Sequence, residues 1–171
     1  MSNPATRYVV DTNVLLEAYK RYYAFDLCPG FWDSLLHHHA SGRVCSIDRV
    51  KVKLVGNNDL LSDWVRNSIP ATMFADCSVA SIASVYGQIA TWVQSQVQFT
   101  NAAKAQFAAI ADSWLIAYAK ANDMTLVTHE LLQPAAKSRV PIPNVCQQFS
   151  VKVVDTYAML RDLAVSFVWS K

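Results

Sequence analysis

Five short runs of β-branched and other apolar residues punctuate this sequence, each followed by a longer stretch in which apolar residues recur every three or four positions. Residues 8–10, 43–45, 71–75, 125–128 and 151–154 read as strands, being too short for helices and bounded by polar or turn residues. The stretches between them read as helices. Residues 14–21 follow the first strand. Phe31, Trp32, Leu35 and Leu36 then mark a helix ending near Gly42. Ser46 suits the N-cap of a helix with the stripe Ile47, Val50 and Leu54, and residues 59–66 resume after Gly56, Asn57 and Asn58. A long amphipathic helix carries Val79, Ile82, Ala83, Tyr86, Ile89, Ala90 and Val93. Thr100 or Asn101 caps the next helix, which runs through residues 102–109 into 112–120, and residues 155–169 form a closing helix. Such alternation implies a single three-layer α/β/α domain over residues 1–171, with a mainly parallel central sheet.

Composition sets the outer bounds. With 171 residues, 53% of them hydrophobic and 16% charged, the chain can bury a substantial core, and disorder is excluded. A net charge of +2 neither requires nor rules out a nucleic-acid partner. Cys28, Cys45, Cys77 and Cys146 lack CxxC spacing, so no zinc knuckle or compact disulfide framework is indicated. Free thiols, the absence of a leader-like N-terminus and the lack of any stretch approaching the roughly 20 apolar residues of a membrane span lead us to expect a soluble cytoplasmic protein. The His37, His38, His39 run lies at a helix end, where consecutive side chains diverge too far to chelate one ion, and reads as structural. Gly30, Gly42, Gly56 and Gly87 form no GxGxxG turn, which argues against dinucleotide binding.

The acidic residues carry more information. Asp11 falls where the first strand ends, the edge at which open parallel sheets bind ligands, although Asp11 or Thr12 equally suits a helix cap. Asp112 shares a helical face with Ala108, Leu115, Ile116 and Ala119, so its charge needs a donor, a cation or a metal there, unless it caps a new helical segment after a break at Ala111. Glu130 follows the fourth strand as Asp11 follows the first. If Asp11, Asp112 and Glu130 converge, their mutual repulsion favours a hard divalent cation such as Mg²⁺ or Mn²⁺.

The segments VVDTNVLLEA (Val9 to Ala18), SIDRV (Ser46 to Val50), ADSWLIAYA (Ala111 to Ala119) and LVTHE (Leu126 to Glu130), in this order and separation, resemble the PIN-domain family of metal-dependent ribonucleases and VapC-type toxins. The run YYAFDLCPGFWDSLLHHHASGRVCSIDRV is similar to a little-characterised bacterial branch of PIN-like proteins, and the likeness extends over nearly the whole chain. The resemblance implies a divalent-metal-dependent endoribonuclease and the toxin of a type II toxin–antitoxin pair, with an RNA substrate, a cognate antitoxin partner and a homodimeric state. It also implies Asp11, Asp112 and Glu130 as metal ligands, with Asn13 and Thr128 holding ligands or water.

One position departs from the family pattern. The helix after the second strand usually carries a Glu, and Lys53 stands at that point. An ammonium among carboxylates lowers affinity for a second divalent ion. Lys53 therefore either pairs with Asp11 or Asp112, or is offset by a carboxylate from Asp48, Asp59 or Asp63. The alternative function is a catalytically impaired PIN-like module that binds RNA or an antitoxin. Lys20, Arg21, Arg43, Arg49, Lys51 and Lys137 are candidates to track a phosphate backbone, and Tyr22, Tyr23 and Phe25 to stack on bases. A phosphatase of the DxDxT type is disfavoured, because Asn13 stands where its second Asp is required.

Overall fold

The computed structural model describes residues 5–169. Its strands are β1 (Tyr8–Val10), β2 (Val44–Ile47), β3 (Phe74–Ala75), β4 (Thr125–Val127) and β5 (Val153–Val154), in the order β3-β2-β1-β4-β5 with every pairing parallel. The expected three-layer α/β/α architecture is present. Because β1 is central and buried at all three residues, an apolar run rather than an alternating one is what it requires.

From β1 the chain passes through α1 (Thr12–Glu17), a π-helical turn at Ala18–Tyr22, and α2 (Pro29–Ala40) to β2. It then continues through α3 (Asp48–Val55) and α4 (Leu60–Asn67) to β3, and reverses direction through α5 (Ala80–Ser95), α6 (Asn101–Ala109) and α7 (Ala111–Ala121) to β4. The last crossover is α8 (Ile142–Gln148), leading to β5 and α9 (Thr156–Asp162). The strand order sends the connections β1 to β2 to β3 one way along the sheet and β3 to β4 and β4 to β5 the other, so the right-handed rule for parallel crossovers assigns the two sets of helices to opposite faces. α2 packs on β2, and α7 packs on β4. The core runs through Val9, Val10, Ile47, Leu115, Ile116 and Leu126, all fully buried.

Tyr23 stacks on Phe31 (4.4 Å between ring centroids) and Phe25 on Trp32 (4.2 Å), which is how the aromatic segment after α1 is secured. Both rings are half-buried and packed against the core, and each already stacks on another ring.

Several expected boundaries shift. Ser46 lies inside β2, where its hydroxyl donates to the Val10 carbonyl at 2.7 Å instead of capping α3. The stretch expected as strand 71–75 is a 3₁₀ turn, Ala71–Met73, followed by the two residues of β3. The helices either side of residue 110 are separate, because Ile110 is extended between them. The closing helix stops at Asp162, and Ala164 takes a left-handed φ of 56° just beyond. α8 lies where no helix was expected. All four cysteines are free, as expected. Among the described residues, no helix is long and apolar enough to cross a membrane.

Candidate acidic site at the carboxyl edge of the sheet

In this strand order the connections leaving β1 and β4 diverge to opposite sides of the sheet, and the crevice between them is the usual ligand position of a doubly wound fold. Val10 pairs with Val127, so the next residues on each strand, Asp11 and Thr128, come out side by side. The Thr128 hydroxyl donates to Asp11 Oδ2 at 3.0 Å, and the Asp11 amide donates to the Val127 carbonyl at 3.0 Å. Asp11 is 2% exposed. It precedes α1, but its side chain makes no cap hydrogen bond, so the capping explanation does not hold.

Burial first, and then the nearby charges of Asp112 and Glu130, raise the Asp11 carboxyl from 3.8 to about 7, against hydrogen bonds from Thr128 and the Thr12 amide that favour its ionised form. Asp11 thus feels the charge of both other acids. Their side chains nevertheless have different partners. Asp112, in the first turn of α7, receives Lys53 of α3, with Nζ 3.4 Å from Oδ1. Glu130 is held by Arg139 at 2.6 Å through Oε1 and by the Ile142 amide at 2.8 Å through Oε2. The Glu130 amide in turn donates to the Thr128 hydroxyl at 3.2 Å.

Among the described residues, no three His, Cys, Asp or Glu side chains stand close enough together to hold one ion. Both oxygens of the Glu130 carboxylate are engaged, one by Arg139 and the other by the start of α8. Of the two other acids, Asp112 acts more strongly on the Asp11 carboxyl. Mg²⁺ commonly takes one or two carboxylates and completes its shell with water and substrate phosphate, so oxygen donors of this kind suit it chemically. The buried Thr12 hydroxyl, which has no hydrogen-bond partner among the described residues, adjoins Asp11 in sequence.

Lys53 pairs with Asp112, one of the two partners expected for it. The proposed substitute carboxylates make no contact with Lys53 among the described residues. Asp48 accepts from its neighbour's amide, Asp59 caps α4, and Asp63 pairs with Arg66. Thr128 hydrogen-bonds Asp11, whereas Asn13 is exposed and its side chain makes no hydrogen bond among the described residues.

Of the basic candidates, Arg43 is committed to Asp162 at 2.7 Å and Arg21 to Glu17 at 3.2 Å. The Arg49 guanidinium lies 4.1 Å from the Trp114 ring centroid. In the histidine run, His39 bridges the Val44 carbonyl and Thr72, consistent with a structural role. Arg139 is the residue that sequence reasoning missed. It lies in an irregular loop, and with Asp112, Glu130, Gln106, Phe107 and Val140 it lines a cavity of about 240 Å³ beside the acids.

Comparison with known proteins adds the following. Residues 8–167 match the family model described as "Domain of unknown function (DUF4411)". No curated protein matches the chain. Among solved structures, the chain is similar to one from VapBC2 of Rickettsia felis, determined bound to a DNA fragment from their promoter. That pair is 14% identical with a TM-score of 0.52, covering 88% of this chain and 98% of the other. It is also similar to a chain of FitAcB from Neisseria gonorrhoeae, 17% identical with a TM-score of 0.51, covering 85% of this chain and 95% of that one. These likenesses show a common fold, the PIN-like architecture.

Proposed function

The chain belongs to the DUF4411 family, and from that premise we propose that it is a divalent-metal-dependent ribonuclease that hydrolyses phosphodiester bonds as the toxin of a type II toxin–antitoxin pair. The observation that carries this reading is Asp11, a carboxylate buried at the β1/β4 crevice and opposed by the charges of Asp112 and Glu130. Placing an acid there costs stability, and burial beside like charge is characteristic of functional sites.

Asp11 and Asp112 would hold the ion, Mg²⁺ or Mn²⁺. When bound, it supplies Lewis-acid activation of water and neutralises charge that builds on the phosphate. The chain's own residues have separable tasks. Thr128 fixes the Asp11 carboxylate by donating to its Oδ2. Asn13, exposed next to Asp11, is placed to orient water or substrate by hydrogen bonds. Glu130, tied to Arg139 and to α8, shapes the crevice and adds negative potential rather than a ligand. The resemblance to VapC-type toxins supports a cognate antitoxin, a homodimeric state and a cytoplasmic location as parts of the same proposal.

The test is cleavage of a labelled RNA with Mn²⁺ by purified protein and by Asp11→Asn. Cleavage should fall to background in the variant, and equal cleavage by both would remove Asp11 from the chemistry. The Lys53–Asp112 pair favours a second reading, a module that binds RNA or antitoxin without cutting. Under that reading the wild type binds RNA without metal and does not cleave it, even after Lys53→Glu.

A further inference from the structure

Lys53 and Asp112 make an unusual ion pair for a buried acidic crevice. The Asp112 side chain is 14% exposed and the Lys53 side chain 41%, with the charged atoms 3.4 Å apart. An ammonium carries three donors, and this one makes no other hydrogen bond or ion pair among the described residues. It therefore presents unused donors to solvent at the mouth of the site. Arg139 differs, since it sits at 2.6 Å on a carboxylate that the Ile142 amide also holds. With every group ionised, the three carboxylates Asp11, Asp112 and Glu130 and the two cations, paired with Asp112 and Glu130, sum to one net negative charge. That balance suits one divalent ion and works against two.

We infer that Lys53 is a substrate-binding residue: its ammonium, anchored on Asp112, supplies the positive charge a second divalent ion would bring, and it takes a non-bridging oxygen of the RNA phosphate. The inference rests on the ribonuclease reading above and sharpens it. The site takes a single divalent ion, and lysine, not metal, provides the other half of the phosphate clamp. A charge-assisted hydrogen bond of this kind is worth about tenfold in affinity. Its loose, half-exposed geometry lets Lys53 reach phosphate without giving up Asp112.

Two binding measurements test this without relying on turnover. In Mn²⁺ titration calorimetry, the wild type should bind one ion and Lys53→Glu two. In fluorescence anisotropy with a labelled oligoribonucleotide and chelator present, Lys53→Met should bind about tenfold more weakly than wild type, and Lys53→Arg should bind nearly as well as wild type. Thermal melts check that the variants fold, which the side chain's exposure leads us to expect. Two ions on the wild type, or unchanged RNA affinity in Lys53→Met, would overturn the role of Lys53 and leave the ribonuclease reading standing. A wild type that binds neither Mn²⁺ nor RNA would overturn both.

Discussion

The two acids whose charges act on Asp11 each belong to an ion pair, and the two pairs differ in structure. On the α3 side, Lys53 touches Asp112 at 3.4 Å through one contact and remains partly in solvent. On the α8 side, Arg139 meets Glu130 at 2.6 Å, and the same carboxylate also accepts the Ile142 amide at the start of a helix. The first pair leaves Lys53 with donors to spare while it stays on Asp112, at little cost to the fold. The second ties residue 130 to residues 139 and 142, so it secures the loop between β4 and α8. An acid's position at a strand end does not decide its role. What decides it is whether the neighbouring chain has already claimed its oxygens.

The largest expected effect lies at Asp11, which neither pair relieves. In the unfolded chain its carboxyl ionises near the ordinary 3.8, and in the folded protein near 7, so between those values the folded state holds a proton that the unfolded state has released. The stability contributed by neutral Asp11 is complete below its unfolded value and is lost as pH rises through about 7. Asp11→Asn is neutral throughout. It should be more stable than wild type by up to about 4 kcal/mol above that pH, with the gain vanishing in acid, as read by denaturant melts across pH. A constant offset would mean that Asp11 is not opposed by its neighbours.

Breaking the tight pair comes next. Glu130→Ala leaves the Arg139 guanidinium and the Ile142 amide without their acceptor, and should cost about 2 kcal/mol in urea unfolding, mostly through the amide because Arg139 is partly solvated. Thr128→Val removes the donor to Asp11 and the acceptor of the Glu130 amide, for about 1–2 kcal/mol. Breaking the loose pair should be the mildest change. Lys53→Met should shift stability by less than about 1 kcal/mol. If Lys53→Met destabilised as much as Glu130→Ala, the contrast between the two pairs would fail.

The strand ends were legible in the sequence because short β-branched runs and helical spacing report local periodicity, and both Asp11 and Thr128 follow such runs directly. Their mutual contact follows from the parallel register. Other features depend on tertiary placement. Ser46 looks like a cap because serine usually caps, yet its hydroxyl is taken by the neighbouring strand. Pro141 and Pro143 suggest a loop, although proline at the start of a helix loses no hydrogen bond, and α8 begins there. Ala164 ends the last helix in a left-handed conformation without the glycine that would have announced it. Arg139 had no signal at all, since nothing in an irregular loop tells which carboxylate it will find. The convergence of the three acids was readable as proximity but not as shared ligation, because the competing claims of Lys53, Arg139 and Ile142 come from elsewhere in the chain.

The central claim is that Asp11 and Asp112 form a two-carboxylate site for one divalent ion, with Glu130 outside it. Anomalous diffraction from crystals soaked in Mn²⁺ tests this directly. The account predicts a single peak in coordination contact with Asp11 and Asp112, while Glu130 stays on Arg139. A second peak on Glu130, or no peak at Asp11, would contradict it.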